Sequence, residues 1–257
     1  IHPFSAAFED RGRWMPGARS AYGGRRMKQK LLYAFSVLSG IFLVIGVILN
    51  CVNFFCFYRP FYEREYEKLA TAQRMGMSQE DLEKATEALL DYLKGERQDL
   101  LVQGVVHGQE RQILNEREIA HMADVKNLYL WAMRIGNCAL AVSVLFYLTA
   151  WFSQQDKKSI LSGYISGNWI LFGLIAVLGI YAALDFNNFW TNFHHVFFTN
   201  DLWLLDPRED LLIQMVPEQF FFDLVMRIVI VSAMVLAALM FLAYWMRKRY
   251  KKAGNPA

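Results

Sequence analysis

Two histidine-containing segments hold the side chains best suited to catalysis. His121 has Asp124 three residues after it and Glu118 three residues before it. On a helix, both carboxylates would lie on the same face as the imidazole and could orient it. The second segment places His194 and His195 side by side among aromatic residues. Because an imidazole can accept and deliver protons near neutral pH, we expect proton-transfer chemistry at these histidines; the alternative for His121 is an ordinary histidine on an exposed helix surface.

The segment around His194 is rich in aromatic side chains. Aromatic residues commonly anchor a chain at a membrane surface, but the density here exceeds what the ends of two membrane helices require. We therefore expect chemistry on a molecule in the membrane interface, such as a lipid or a lipidated molecule. The residues expected to bind it are Asp124, Phe193, Phe197, Phe198, Asn200, Trp203 and Asp206. Asn200 and Asp206, which precedes Pro207, are equally well explained as turn residues.

Four apolar segments are long enough to cross a membrane as helices. They comprise residues 31–57, 130–152, 164–184 and 219–246, and none contains proline. With 55% hydrophobic residues and a mean hydropathy of +0.18, the chain is too apolar for an ordinary soluble domain. The sequence therefore predicts an all-α polytopic membrane protein with four transmembrane helices.

Basic residues indicate the orientation of these spans. They cluster in residues 25–30 before the first span, 157–158 between the second and third, and 247–252 after the fourth. The connection between the third and fourth spans carries one arginine, Arg208, among several carboxylates. The positive-inside rule then predicts cytoplasmic termini and two extracellular connections, residues 58–129 and 185–218. The net charge of +3 is read as a topology signal and not as a sign of nucleic-acid binding.

The first extracellular connection is predicted to form a small helical cap. Ser78 and Gly95 have the residue types that begin and end a helix. Between them lies an apolar stripe of Leu82, Ala85, Leu89 and Leu93. Asn115, with Glu118 at the capping-box position, begins a second helix. Nothing breaks this helix before the second span, so one continuous helix is expected from Glu116 into the bilayer.

Other features have structural interpretations. Residues 1–26 are predicted to be a disordered leader that need not be native, with Met27 as a candidate start. The three cysteines lack CxxC or metal-ligand spacing and are expected to be small buried residues. Arg227 lies inside the fourth span, where a charge needs a partner; Asp223 and Asp185 are the candidates. His107, between Gly104 and Gly108, is expected to be a loop residue.

Taken together, the chain resembles the lipoprotein intramolecular transacylase (Lit) family of low-GC Gram-positive bacteria. The resemblance rests on residues 76–82 (GMSQEDL), 90–95 (LDYLKG), 117–126 (REIAHMADVK), 193–207 (FHHVFFTNDLWLLDP) and 217–221 (PEQFF). It covers the chain from about Met27 to the end. It implies a plasma-membrane protein with four helices, an extracellular cap and two catalytic histidines at the boundary between cap and membrane. These histidines match His121 and His194, although a shift of one residue would exchange His194 for His195.

The resemblance also implies a reaction. The substrate would be a lipoprotein whose N-terminal cysteine carries a diacylglyceryl group and a free α-amine. The sn-2 acyl chain would move to that amine and leave the lyso form of the lipoprotein. His121 would act as the base, and His194 would polarise the ester or protonate the departing oxygen; the opposite division stays open. No GxSxG motif is present, and no cofactor or metal is expected, although His121, His194, His195 and a carboxylate could coordinate zinc.

Two other functions compete with acyl transfer. A non-catalytic membrane sensor or assembly protein would use the cap as a binding module and the histidines as pH-responsive groups. A zinc-dependent membrane hydrolase would need a bound metal, but the sequence has no HExxH motif. Replacing a histidine would abolish acyl transfer and leave the binding of a sensor largely intact.

Overall fold

The computed structural model describes residues 16–152 and 156–253. The described helices are α1 (Pro16–Cys56), α2 (Arg59–Lys68), α3 (Thr71–Arg74), α4 (Gln79–Lys94), α5 (Glu116–Phe152), α6 (Lys157–Leu184), α7 (Phe186–Phe197), α8 (Leu211–Met215) and α9 (Glu218–Ala253). The described strands are β1 (Gln103–Val106) and β2 (Gln109–Gln112).

Four of the described helices are long and apolar enough to cross a membrane. These are Arg26–Cys56 within α1, Glu116–Phe152 (α5), Lys157–Leu184 (α6) and Glu218–Tyr250 within α9. Many of their large apolar side chains are exposed, including Phe152 at 82% and Leu184 at 81%. Such exposure suits a surface that contacts lipid. The prediction of an all-α chain with four helices of membrane-spanning length is confirmed.

Helix α1 begins earlier than the sequence indicates. Its first residue is Pro16, so α1 includes residues 16–26 of the segment expected to be a disordered leader. Proline suits the first turn of a helix because its missing N–H would have no partner there. Once the adjacent span has nucleated the helix, each further residue adds a hydrogen bond at little cost. The rest of the predicted leader, residues 1–15, lies outside the described residues.

The chain divides into two compact units. The first comprises residues 1–44, 141–171 and 236–257, and the second comprises residues 45–140 and 172–235. In the first unit, α1 and α6 approach each other closely at two glycines of α6. A Cβ atom at Gly163 would lie 2.6 Å from the carbonyl oxygen of Tyr33, and one at Gly167 would lie even closer to that of Val37. Small residues permit such backbone contact between membrane helices.

The second unit contains the cap and a hydrophobic core. Its buried core residues come from α2, α4, α5, α8 and α9, from β1, and from the segments that follow α3 and flank the two strands. The largest fully buried members are Phe61, Met75, Leu82, Leu100, Ile113, Met215 and Phe220. The cap therefore shares one core with the first turns of α5 and α9, which holds these helix starts in place.

Both helix starts predicted in the cap are confirmed. Ser78 caps α4 by accepting a hydrogen bond from the backbone N–H of Asp81 at 3.0 Å, and Gly95 ends the helix with a φ of 86°. Helix α5 runs unbroken from Glu116 to Phe152. At its start, the backbone N–H of Asn115 donates to Glu118 at 2.7 Å, and that of Glu118 donates to the Asn115 side chain at 3.0 Å. This reciprocal pair is the capping box expected from the sequence.

The cap also contains a β-hairpin, which the prediction of a helical cap missed. Strands β1 and β2 are antiparallel, with Gln103 opposite Gln112 and Val106 opposite Gln109. His107 and Gly108 form the two-residue turn with φ values of 51° and 78°. Positive φ at both positions suits a tight hairpin turn. The strands are four residues long, too short to show a clear alternation in the sequence.

The second connection, predicted as an aromatic loop, contains helices α7 and α8. Asp185 caps α7 by accepting a hydrogen bond from the backbone N–H of Asn188 at 3.0 Å. Within α7, Phe186, Trp190 and His194 recur every fourth residue and therefore share a face. That spacing is a helical signal, which the interpretation as membrane anchors overlooked.

Arg227 pairs with a residue of the cap. Its Nη2 lies 3.6 Å from Oε1 of Glu65, whose side chain is 3% exposed. The same carboxylate accepts a hydrogen bond from Lys68 at 3.1 Å, and Lys68 also pairs with Asp223. Within the described residues, the expected pairing of Arg227 with Asp223 or Asp185 is not found. Arg227 pairs with Glu65 because the carboxylate of Glu65 is buried, and a buried negative charge requires a positive charge beside it.

Candidate active site

His121 lies buried in the second unit, near the start of α5. The residue is 7% exposed, so it is not the exposed histidine that was the alternative interpretation. Its ring centroid lies 5.4 Å from that of Phe198 and 6.0 Å from that of His194. Its Nδ1 atom is buried and has no hydrogen-bond partner among the described residues. The structure thus places an imidazole with an unpartnered nitrogen against a second histidine.

The carboxylates predicted to flank His121 bind other groups. Glu118 is 1% exposed, and its second oxygen accepts a hydrogen bond from the backbone N–H of Leu212 at 2.5 Å. Asp124 accepts a hydrogen bond from the side chain of Asn200 at 2.9 Å. No hydrogen bond joins either carboxylate to His121 in the described part of the chain. Both carboxylates instead connect α5 to the second connection, which carries the other histidine.

His194 is held by a hydrogen bond within α7. Its Nδ1 lies 2.7 Å from the carbonyl oxygen of Trp190, one turn earlier. A carbonyl oxygen only accepts, so Nδ1 must carry the proton, and the neutral ring then has its lone pair on Nε2. Burial lowers the pKa of His194, and the hydrogen bond to Trp190 opposes this effect only in part. Burial therefore favours the neutral ring, whose lone pair for accepting a proton is at Nε2.

Of the two adjacent histidines, the structure brings His194 to His121. His194 is 7% exposed, whereas His195 is exposed and its ring meets Trp203 edge-on, with centroids 5.0 Å apart. Consecutive helical residues point about 100° apart, so burial of one ring turns the other away. This geometry favours His194 as the partner of His121.

Aromatic rings surround the two histidines. Phe198 contacts both, with its centroid 5.4 Å from His121 and 5.6 Å from His194. Phe193 meets His194 edge-on at 5.5 Å, and Phe197 packs on Phe193 at 4.8 Å. Phe197 is 52% exposed, so it lies at the outer rim of this group. The resulting apolar surface can hold an acyl chain and reduce access of water.

Trp203 completes the ring cluster from the second connection. Its indole stacks on His194 with centroids 4.7 Å apart and planes inclined by 25°. Its Nε1 atom is buried and has no hydrogen-bond partner within the described ranges. The side-chain oxygen of Asn200 accepts a hydrogen bond from the backbone N–H of Leu202 at 3.1 Å, as expected of a turn residue.

Asp210 organises the second connection and was missed in the sequence. Its carboxylate accepts hydrogen bonds from the side chain of Asn115 and the backbone N–H of Asp206, both at 2.7 Å. Asp206 itself forms the predicted turn, in which its carbonyl oxygen accepts from the N–H of Glu209 at 3.0 Å. The Arg208 guanidinium beside Asp206 lowers the pKa of that carboxyl to about 2. Asp206 is therefore engaged in this turn and in the ion pair with Arg208.

An open cavity of about 590 Å³ lies beside the start of α5. It is lined by Asn115, Glu116, Arg117, Leu204, Asp206, Glu209 and Asp210. Its polar lining suits a peptide better than an acyl chain. Within residues 16–152 and 156–253, no group of three or more histidine, cysteine or acidic side chains is arranged to hold a metal ion.

Solved structures of one enzyme resemble this chain. The lipoprotein intramolecular transacylase Lit from Bacillus cereus matches with a TM-score of 0.67 and 19% identity, covering 90% of this chain and 99% of that chain. A variant of the same protein with one histidine replaced by arginine matches with a TM-score of 0.70 and 17% identity, covering 93% and 100%. These likenesses show a common fold with a membrane-integral protein. A comparison with curated protein sequences gives no match.

The family model for lipoprotein intramolecular transacylases matches residues 37–221. The matched range includes both buried histidines, the cap and the aromatic segment. The match covers well over half of the chain and agrees with the fold and with the four apolar helices. The chain is thus a multi-pass membrane protein that belongs to the lipoprotein intramolecular transacylase (Lit) family.

Proposed function

We propose that this protein moves the sn-2 acyl chain of a diacylglyceryl-cysteine lipoprotein to the α-amine of the same cysteine, giving the lyso form. The reaction takes place at His121 and His194. The observation that carries this proposal is the buried pair of imidazoles, 6.0 Å apart within a cluster of aromatic rings. Amine and ester belong to one molecule, so the enzyme needs proton transfer and positioning but no nucleophile of its own.

His194 is the general base of the proposed reaction. Its Nδ1–H is held by the Trp190 carbonyl, which leaves Nε2 to accept a proton from the attacking amine. The α-amine has a pKa of about 8, so a neutral imidazole is a feasible acceptor. Burial lowers the pKa of His194, which favours the neutral ring that can act as a base. This role is the reverse of the division first preferred from the sequence.

His121 polarises the ester. A neutral imidazole donates one N–H, and the carbonyl oxygen of the sn-2 ester becomes negatively charged when the amine attacks. The new C–N bond forms while His194 takes the amine proton. The bond between the acyl carbon and the glyceryl oxygen then breaks, and His194 returns the proton to that oxygen. The sum is one amide formed, one ester broken and one hydroxyl released.

The aromatic cluster would bind the substrate. Phe193, Phe197 and Phe198 offer apolar contact to acyl chains, while Trp203 and Phe198 lie against the histidines. Asp124 and Asn200 bind each other, and we assign them to holding the second connection against α5. Such an enclosure brings amine and ester together, an effect worth roughly 7–11 kcal/mol at best. It also excludes water, which would hydrolyse the ester.

The site is proposed to lie at the extracellular face of the bacterial plasma membrane, with both termini in the cytoplasm. The basic residues beside the spans support this orientation through the positive-inside rule. Diacylglyceryl-modified lipoproteins are the proposed substrates, held in the same membrane lipid as the enzyme. The polar cavity beside α5 would accommodate the peptide that follows the modified cysteine.

The test is acyl transfer in cells that make a diacylglyceryl-modified lipoprotein. Mass spectrometry of its N-terminal tryptic lipopeptide locates each acyl chain. The wild-type protein should move one chain to nitrogen at unchanged total mass. His121→Ala and His194→Ala should lower the N-acylated fraction by at least about 100-fold, because each removes a group that acts in the transition state.

His195→Ala is the matched control, since it removes a neighbouring imidazole that is exposed. It should transfer the chain as wild type does. Loss of activity in His195→Ala with retention in His194→Ala would exchange the two assignments. A lipoprotein that keeps both ester-linked chains in the presence of wild-type protein would contradict the transacylase proposal and favour a binding role for the cap.

A further inference from the structure

Two nitrogen atoms of the second unit are buried without a hydrogen-bond partner, and both belong to the ring cluster. They are Nδ1 of His121 and Nε1 of Trp203; the other such side-chain atoms among the described residues are oxygens. An indole N–H can only donate. A buried donor that is left without an acceptor is unfavourable, so folded proteins rarely keep one without a reason. The acceptor for Trp203 must then come from outside the described chain.

The position of Trp203 indicates where that acceptor lies. The indole stacks on the ring of His194, 4.7 Å between centroids, so its N–H is beside the proposed base. The segment that precedes Trp203 is bound to α5 at two positions. The Asn200 side chain donates to Asp124 of α5 at 2.9 Å, and the guanidinium of Arg117, also on α5, donates to the carbonyl oxygen of Asp201. A donor that is fixed before substrate binds needs no reorganisation during the reaction.

We propose that Trp203 is a catalytic residue whose Nε1–H donates a hydrogen bond to the carbonyl oxygen of the ester that is cleaved. This inference rests on the proposed acyl transfer. The ester carbonyl is a weak acceptor in the ground state and becomes an oxyanion when the amine attacks. The N–H of Trp203, together with that of His121, stabilises this charge. The donor therefore binds the transition state more tightly than the substrate.

The experiment removes only the N–H. Benzothienylalanine, in which sulfur replaces the indole N–H, is incorporated in place of Trp203 and retains the size and stacking of the ring. Purified protein in detergent is given a synthetic diacylglyceryl-cysteine lipopeptide, and the N-acyl product is followed at several lipopeptide concentrations. We expect kcat to fall by about 10²–10³-fold, the usual effect of losing one oxyanion donor. KM should stay within about threefold, because the interaction belongs to the transition state.

The same replacement at Trp131 is the matched control. Trp131 is 61% exposed on α5, and benzothienylalanine there should leave kcat and KM unchanged. Trp203→Phe is made in parallel, since it removes part of the stacked ring as well as the N–H. The ¹⁵N signals of His194 should titrate as in wild type when benzothienylalanine replaces Trp203, which separates loss of the donor from displacement of the base.

Three results would overturn the inference. Benzothienylalanine with wild-type kcat at position 203, combined with loss in Trp203→Phe, would show that Trp203 only stacks on His194. A rise in KM at unchanged kcat would place its hydrogen bond in the ground state. An altered His194 titration accompanying the kcat loss would assign Trp203 to positioning the base. The wild-type protein is assayed first. If it does not transfer the acyl chain, the proposed function fails; if it does, the three results above concern Trp203 alone.

Discussion

The two buried histidines have different hydrogen-bonding environments. Nδ1 of His194 is bound to the carbonyl of Trp190, whereas Nδ1 of His121 has no partner among the described residues. The first ring has one defined tautomer and one defined direction for its lone pair. The second can form its hydrogen bond with a substrate. This difference in hydrogen bonding assigns His194 as the base and His121 as the hydrogen-bond donor in the proposed reaction. The distance between the two rings would not distinguish these roles.

The protonation of His194 can be measured directly. Burial disfavours the charged imidazolium, so a lower pH is needed to protonate the ring than for an exposed histidine. In a ¹⁵N NMR titration, we expect the midpoint of His194 to lie below about 6.5, with the neutral ring protonated at Nδ1. His194→Gln identifies the signal by its loss. A midpoint above that value, or a neutral ring protonated at Nε2, would contradict the assignment of His194 as the base.

At the scale of elements, close approach of α1 and α6 depends on glycine. Gly163 and Gly167 lie one turn apart on α6 and bring its backbone against carbonyl oxygens of α1. In the same unit, the hydroxyl of Ser36 donates to the carbonyl of Ile160 at 2.6 Å. In a membrane there is no hydrophobic driving force between helices, so such packing and hydrogen bonds contribute much of the association.

Adding a single methyl group at this contact should destabilise the protein. Gly167→Ala places a Cβ against the carbonyl oxygen of Val37, and we expect a loss of about 1–3 kcal/mol in the free energy of unfolding. Gly173→Ala is the matched control on the same helix, because a Cβ there has nothing within 4 Å. Denaturant unfolding in detergent compares the two variants. Equal stability of both would show that α1 and α6 do not depend on this contact.

At the scale of the whole molecule, polar and apolar parts alternate along the chain. Four helices present apolar side chains on their surfaces, whereas the cap buries its apolar residues in the core that it shares with the first turns of α5 and α9. The buried histidines lie in the unit that contains the cap. A reaction that joins the amine and ester of one lipidated molecule suits this arrangement, since the peptide is polar and the acyl chains are not.

The proposed orientation predicts which surfaces face the outside of the cell. In a protein whose three native cysteines are replaced by serine, the variant Glu110→Cys places one thiol in the hairpin, and the variant Lys158→Cys places one at the start of α6. A membrane-impermeant thiol reagent should modify Glu110→Cys in intact cells. It should modify Lys158→Cys only after the cells are permeabilised. The opposite pattern would place the site at the cytoplasmic face.

Features encoded by neighbouring residues could be predicted. The spans follow from long apolar runs. The ends of α4 at Ser78 and Gly95 and the start of α5 at Asn115 follow from side chains that bind backbone groups three or four residues away. Helix α7 also had a local signal, because Phe186, Trp190 and His194 are each four residues apart. Its aromatic residues were instead interpreted as membrane anchors.

Contacts between distant segments required the structure. The hydrogen bonds from Leu212 to Glu118 and from Asn115 to Asp210 join residues more than ninety positions apart. No local pattern marks Asp210 as the residue that Asn115 will meet. The hairpin was hidden for a related reason, because its cross-strand pairing is specified by the surrounding core more than by its own four-residue strands.

The sequence by itself determined the membrane class, the starts of α4 and α5, the residue types of the site and the resemblance to the transacylase family, because these depend on composition and local spacing. Only the tertiary structure decided that His194 and not His195 faces His121, that Trp190 selects its tautomer, and that Trp203 holds an unpartnered donor beside it. The reason is physical. Adjacent helical residues differ in direction by about 100°, and which direction is buried depends on the rings that distant segments bring against the helix.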